Sequence, residues 1–148
     1  MDAHDSAIVN NEIYANSAEG IFISGDTSKN NRIEGNKISR NSKGISIVNG
    51  YTSVNGVIPG DPNGNIIRRN SIYGNTSLGI DLNNDGITPN DPQDPDVGPN
   101  NLQNYPIIIA SMTKCDGTTD TSNVPMFNST PNTTFTIDYY ANPSWDPA

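Results

Sequence analysis

Acidic side chains crowd one short stretch, "GIDLNNDGITPNDPQDPDVGPN", residues 79 to 100. Five carboxylates fall between Asp81 and Asp96, and no Lys or Arg occurs between Arg69 and Lys114. Asp81, Asn83 and Asp85 stand at alternate positions before Gly86, the D-x-[DN]-x-[DN]-G opening of a calcium-binding loop. Oxygen ligands at that spacing converge when the chain bends at the glycine, and the Ile87 carbonyl would occupy position seven. The pattern then breaks, because position twelve is Pro92 and supplies no bidentate carboxylate. Asp91 precedes it by one residue, and Asp94 and Asp96 add further oxygens. Three readings follow: an exposed linker, a linker pinned by a structural calcium ion, or carboxylates that do chemistry. Asn, Asp, Gly and Pro are ordinary residues of surface connections, which sets the plain linker first and the active site last.

Catalysis needs ionisable groups that are also positioned. Three segments of the chain could position them: "IVNNEIYANSAEGIFI" from Ile8, "IEGNKISRNSKGISI" from Ile33 and "IRRNSIYGNTSLGIDL" from Ile67. Each reads I-x-x-N-x-I-x-x-N, two or three residues, then G-I-x-[IL], at offsets of 25 and 34 residues. Self-similarity at such a period is the signature of a solenoid. Apolar residues alternate in "GIFI", "GISI" and "GIDL", as in short β-strands, and no helical stripe runs uninterrupted. Gly20, Gly44 and Gly79 fall where the backbone needs either a positive φ or a close approach.

Stacking equivalent positions about 4.8 Å apart makes columns. Asn11, Asn36 and Asn70 form one, and Asn16, Asn41 and Asn75 a second. Amide columns can pass hydrogen bonds between repeats and tolerate left-handed corners, which gives these six a structural role. Three further columns face outward: Phe22, Ser46, Asp81; Glu12, Lys37, Ser71; and Tyr14, Ser39, Tyr73. No second carboxylate and no basic residue is stacked on Asp81. Tyr14 and Tyr73 offer aromatic faces for weak glycan contact, although exposed tyrosine is also a common strand former.

The repeat resembles that of the right-handed parallel β-helix shared by pectate-lyase-like and NosD-like proteins. The resemblance covers residues 8 to 82. It implies an all-β fold of about three coils, with residues 1–82 as β-helix, 83–104 as an acidic loop and 105–148 as C-terminal strands. "GIDLNNDGITPNDPQDPDVGPNNLQNYPII" is similar to the segment closing such helices in secreted or surface proteins of bacteria and archaea. "STPNTTFTIDYYANPSWDP" resembles the start of a β-sandwich module, so the resemblance implies a fragment whose upstream coils lie elsewhere in a parent protein. It implies an extracellular or cell-surface setting and polysaccharide or cell-surface glycan as partner. A pectate-lyase-like calcium and arginine arrangement has no residue-by-residue match. The expectation is therefore a non-catalytic structural or adhesion-type segment. The alternative is a piece of a polysaccharide lyase or glycoside hydrolase whose catalytic coils lie upstream.

Composition sets the remaining bounds. A formal net charge of −8 and a pI near 4.3 disfavour nucleic acid, which selects positive surfaces. No apolar run is long enough to insert in a membrane. "MDAHDSAIVNN" has neither the basic start nor the apolar segment of a signal peptide. His4 has no Cys or His partner at zinc-like spacing, and the single Cys115 excludes an intrachain disulfide. "YPIIIASM" and "TTFTIDYY" read as strands, the second with Phe135, Ile137 and Tyr139 on one face.

Overall fold

In a computed structural model of the chain, the residues described are 3–25, 27–50, 62–107, 112–113, 119–120 and 126–138. Each repeat contributes three strands. They are β1 (Ala7–Val9), β2 (Glu12–Tyr14) and β3 (Glu19–Ser24), then β4 (Arg32–Glu34), β5 (Lys37–Ser39) and β6 (Lys43–Val48). The third repeat gives β7 (Ile66–Arg68), β8 (Ser71–Tyr73) and β9 (Ile80–Leu82). Equivalent strands pair parallel in three three-stranded sheets, β1-β4-β7, β2-β5-β8 and β3-β6-β9. Ile8 faces Ile33 and Ile33 faces Ile67, while Ile21 faces Ile45 and Ile45 faces Ile80. The described chain is all-β, and the repeat length sets the register.

Strands of three residues bury little surface singly, so the core comes from stacking. Ile33, Ile38, Ile45 and Ile47 of the middle repeat are fully buried, joined by Ile21 and Ile23. Ile8, Ile13, Ile67, Ile72 and Leu82 pack against that row from the flanking repeats. One thin line of branched aliphatics is how a chain only 32% hydrophobic closes a core.

Backbone corners are also stacked. Asp5, Asn30 and Gly64 share one left-handed corner position, Asn10, Gly35 and Arg69 a second, and Ala15, Arg40 and Gly74 a third. The second set immediately precedes Asn11, Asn36 and Asn70, and the third immediately precedes Asn16, Asn41 and Asn75. The positive φ thus falls one residue before the ladder amides, at positions where the sequence allows Ala and Arg, not on the Asn residues themselves. Gly20, Gly44 and Gly79 carry no positive φ; their requirement is close approach. A Cβ on Gly44 would come within 2.7 Å of Ile72 Cγ2, and one on Gly20 within 2.8 Å of Ile38 Cγ2. Gly20 and Gly44 lie inside β3 and β6, where the repeats' backbones must touch.

Two compact units divide the chain. The first comprises Met1–Thr88, Asp96–Leu102 and Thr134–Ala148, and the second Pro89–Pro95 and Gln103–Thr133. A 3-10 turn, Pro99–Leu102, belongs to the first unit, with Asn100 and Asn101 both in the left-handed region. The second unit holds a two-stranded antiparallel pair, β10 (Met112–Thr113) with β11 (Thr119–Asp120), and an antiparallel bridge between Ile107 and Met126. Residues 133–138 form no strand, although Phe135 and Ile137 are half-buried as the alternation predicts. Cys115, Tyr139 and residues 108–111 of "YPIIIASM" lie outside the described residues.

Candidate functional site

Asp81 has a basic partner after all. Its side chain is fully buried, and the Lys43 ammonium donates to Oδ2 at 2.5 Å. Lys43 is supplied by β6, the strand beneath β9, from a position three residues before the Ser46 that faces Asp81. The same ammonium donates to Asn84 Oδ1 at 2.6 Å and to the Asn84 carbonyl at 3.4 Å. Ser46 Oγ also donates to Asn84 Oδ1, and the Gly86 N–H donates to Asp81 Oδ1. Ser46 and Asp81 thus leave the outer face of the sheet but are closed off from water, and only Phe22 of that column stays exposed. Sequence reasoning missed this because Lys43 reaches diagonally rather than standing in Asp81's column. A buried carboxylate with both oxygens engaged, one by an ammonium, is a fixed ion pair.

The rest of the predicted calcium set separates. Asn83 Nδ2 donates to Asp85 Oδ2 at 2.8 Å, both residues are exposed, and the Ile87 side chain faces solvent. Asp91, Asp94 and Asp96, neighbours along the chain, do converge. Each offers one carboxylate oxygen, all within 4.8 Å of one another, the one such group of three among the described residues. Asp94 is nearly buried, accepting from the Asn104 N–H at 3.1 Å and from Ser129 Oγ at 2.5 Å. Asn104 in turn donates through Nδ2 to the Asp91 and Asn128 carbonyls. Asp91 Oδ1 is buried and accepts no hydrogen bond among the described residues. The oxygens suit a hard divalent cation, and nothing in their geometry selects calcium over another.

The ladders are built from side chains that the sequence did align. Asn36 Oδ1 accepts from the N–H and Nδ2 of Asn11, and Asn70 Oδ1 accepts from the same two groups of Asn36. Asn41 and Asn75 do the same for Asn16 and Asn41. A third column escaped notice: Asn31 donates to Asn65 Oδ1, and the Asn65 N–H donates to Asn100 Oδ1. Its signal is an Asn two residues before Ile33 and Ile67. The first repeat breaks that signal with Ser6, whose N–H donates to Asn31 Oδ1.

Tyr14 and Tyr73 end β2 and β8, both exposed, with the buried Ser39 between them in register. Arg40 sits 5.8 Å from the Tyr14 ring centroid. Lys37 bonds Glu12 at 2.9 Å. Hydrogen bonding to Glu12, then to Tyr73, holds the Lys37 ammonium above its ordinary pKa. Glu34 accepts from Arg32 at 2.8 Å and from Arg69 at 3.1 Å. The Arg32 hydrogen bond, with the charges of Arg69, Arg32 and Arg68, outweighs desolvation and keeps the Glu34 carboxyl below its ordinary value. Arg68 pairs with Asp138 at 2.9 Å, and Asp138 Oδ2 also takes the Arg69 N–H.

No family model matches the chain, and no solved structure matches it. No helix among the described residues is long and apolar enough to cross a membrane.

Proposed function

We propose that this chain is a non-catalytic, structural segment of a right-handed parallel β-helix belonging to an extracytoplasmic protein, with an outer face that contacts glycans. One observation carries the reading. Asp81, the carboxylate of the outward Phe22, Ser46, Asp81 column, is buried and paired with Lys43. The remaining outer positions hold Tyr14, Ser39, Tyr73, Glu12, Lys37 and Ser71, which suit contact and solvation. Glycoside hydrolysis needs two carboxylates set across a bond, and these columns supply no such pair.

Polysaccharide co-sedimentation tests the reading. The chain is expected to be retained by insoluble glycan, and retention is expected to fall about tenfold in Tyr14→Ala/Tyr73→Ala, a loss of about 1.4 kcal/mol. Release of new reducing ends, or of an unsaturated sugar absorbing in the ultraviolet, would overturn it in favour of an enzyme.

The same reading places a structural divalent cation at Asp91, Asp94 and Asp96 and not at Asp81. The support is the convergence of three oxygens and the buried Oδ1 of Asp91, unbonded among the described residues. Calcium is the cation to try first, given the oxygen-only ligands.

A further inference from the structure

The amide ladders have a direction. In both columns a repeat donates its backbone N–H and Nδ2 to the Asn of the following repeat. That Asn reaches back through Nδ2 to a carbonyl: Asn36 to Ile8 at 2.8 Å, Asn41 to Ile13 at 3.4 Å, Asn70 to Ile33 at 2.9 Å. At the edge of β1, β2 and β3 the two columns therefore end on acceptors. Asn11 Oδ1 and Asn16 Oδ1 receive no hydrogen bond among the described residues, and both side chains are exposed. Ile8 and Ile13 are partly exposed where their equivalents Ile33 and Ile38 are sealed. A cavity of about 230 Å³ is lined by Ile8, Ile21 and Ile23 with Ser6, Ser28 and Asn31.

The opposite edge is treated differently. Asn100 Oδ1 takes the Asn65 N–H and Asp138 Oδ2 takes the Arg69 N–H, each at 3.1 Å, where groups of a fourth repeat would stand. Ile80 stays exposed there, so the closure concerns the hydrogen-bonding edge of β7.

We propose that the β1–β2–β3 edge is an interaction surface for one further parallel repeat of the same design, stacked on β1, β2 and β3. The inference rests on the β-helix reading above. The occupant would present inward aliphatics over Ile8, Ile13, Ile21 and Ile23. It would donate a backbone N–H and an amide N–H to each of Asn11 Oδ1 and Asn16 Oδ1, continuing the contact already made between repeats. A two-fold pairing of two such edges fits less well, because it would set acceptor against acceptor along both columns and reverse the strand direction. An open edge carrying aliphatics is also a hazard that neighbouring repeats normally cover.

Tandem duplication tests this directly. Asp5 and Asn30 are equivalent corner residues, 25 positions apart, so a second copy of residues 5–29 inserted before Asp5 keeps the register. The full chain so extended is expected to melt at least about 5 °C higher. Amides of β1, β2 and β3 are expected to exchange at least about tenfold more slowly. Both gains are expected to vanish when Ile8→Asp, Ile13→Asp and Ile21→Asp are made in the added copy alone. A free peptide of residues 5–29, added in trans, should slow the same amides at high concentration. Unchanged melting and exchange, with β4–β6 still protected, would overturn this proposal and leave the β-helix reading standing. An unmodified chain that is dimeric and becomes monomeric on duplication would assign the edge to a second copy, and also overturn it. Rapid exchange throughout β4–β6 in the unmodified chain would sink the β-helix reading itself.

Discussion

Lys43 and Asp81 are the residues on which stability depends most locally. Removing the ammonium in Lys43→Ala strands a buried carboxylate, with an expected loss of about 3 kcal/mol in denaturant unfolding. Replacing both partners, as in Lys43→Met/Asp81→Leu, is expected to recover most of that loss, because no unpaired charge remains. The ladders predict a second contrast. Asn36 accepts from Asn11 and donates to Ile8 and Asn70, all in a buried setting, whereas Asn11 is exposed at the end of its column. Asn36→Ala is expected to cost about 2–3 kcal/mol and Asn11→Ala less than about 1 kcal/mol, measured in the same titration. Glu34 adds a pH dependence. Its lowered pKa means the folded state binds its proton less readily than the unfolded chain, so the stabilisation is whole above the ordinary value of 4.5 and fades as pH falls below it. Glu34→Gln should therefore show a shallower loss of stability on acidification. At this scale the sequence was readable where chemistry repeats in register, as with Asn11, Asn36 and Asn70. It was opaque at Lys43, whose partner is diagonal across two strands, and at Asp138, which reaches Arg68 across 70 residues.

Strands of three residues survive here because every one stacks on its equivalent. Gly44 shows how tight that stacking is: the backbone of β6 and the residues before β9 leave no room for a methyl group. Gly44→Ala is expected to cost about 2 kcal/mol or more through overpacking. Gly74 differs in kind, with a φ of 58° and nothing within 4 Å of an added Cβ. Gly74→Ala is expected to cost about 1 kcal/mol, the penalty of a left-handed corner alone, as Ala15 in the same corner column shows to be tolerable. Strand identity and pairing were legible because Ile recurs with period two within a strand and with a fixed offset between repeats. Corner geometry was legible only in part. The left-handed residues are Asp, Asn, Gly, Ala and Arg in the same columns, and no residue type marks them. The strand expected over 133–140 does not form over 133–138, although alternation leaves Phe135 and Ile137 half-buried as it predicts.

For the molecule as a whole, an excess of acid is managed locally. One carboxylate is neutralised by a lysine of the neighbouring repeat, one is shared between two arginines, and three converge at Asp91, Asp94 and Asp96. Saturating calcium is expected to raise the thermal midpoint by several degrees over chelator, since a ligand at a hundred times its dissociation constant adds about 2.7 kcal/mol. Asp91→Asn should abolish the rise and Asp85→Asn should leave it; the reverse pattern would return the ion to the loop after β9. The alternate spacing of Asp81, Asn83 and Asp85 was legible; the engagement of Asp81 by Lys43 and the Gly86 N–H was not, because spacing along a chain does not reveal which oxygens the fold uses. Amide-resolved hydrogen exchange tests the central claim most directly, namely that an isoleucine row and continuous Asn ladders make one parallel stack. The account predicts the slowest exchange in the middle repeat, at β4, β5 and β6 together with the N–H groups of Asn31, Asn36 and Asn41. Exchange at those ladder amides as fast as at Asp85 and Ile87 would contradict it.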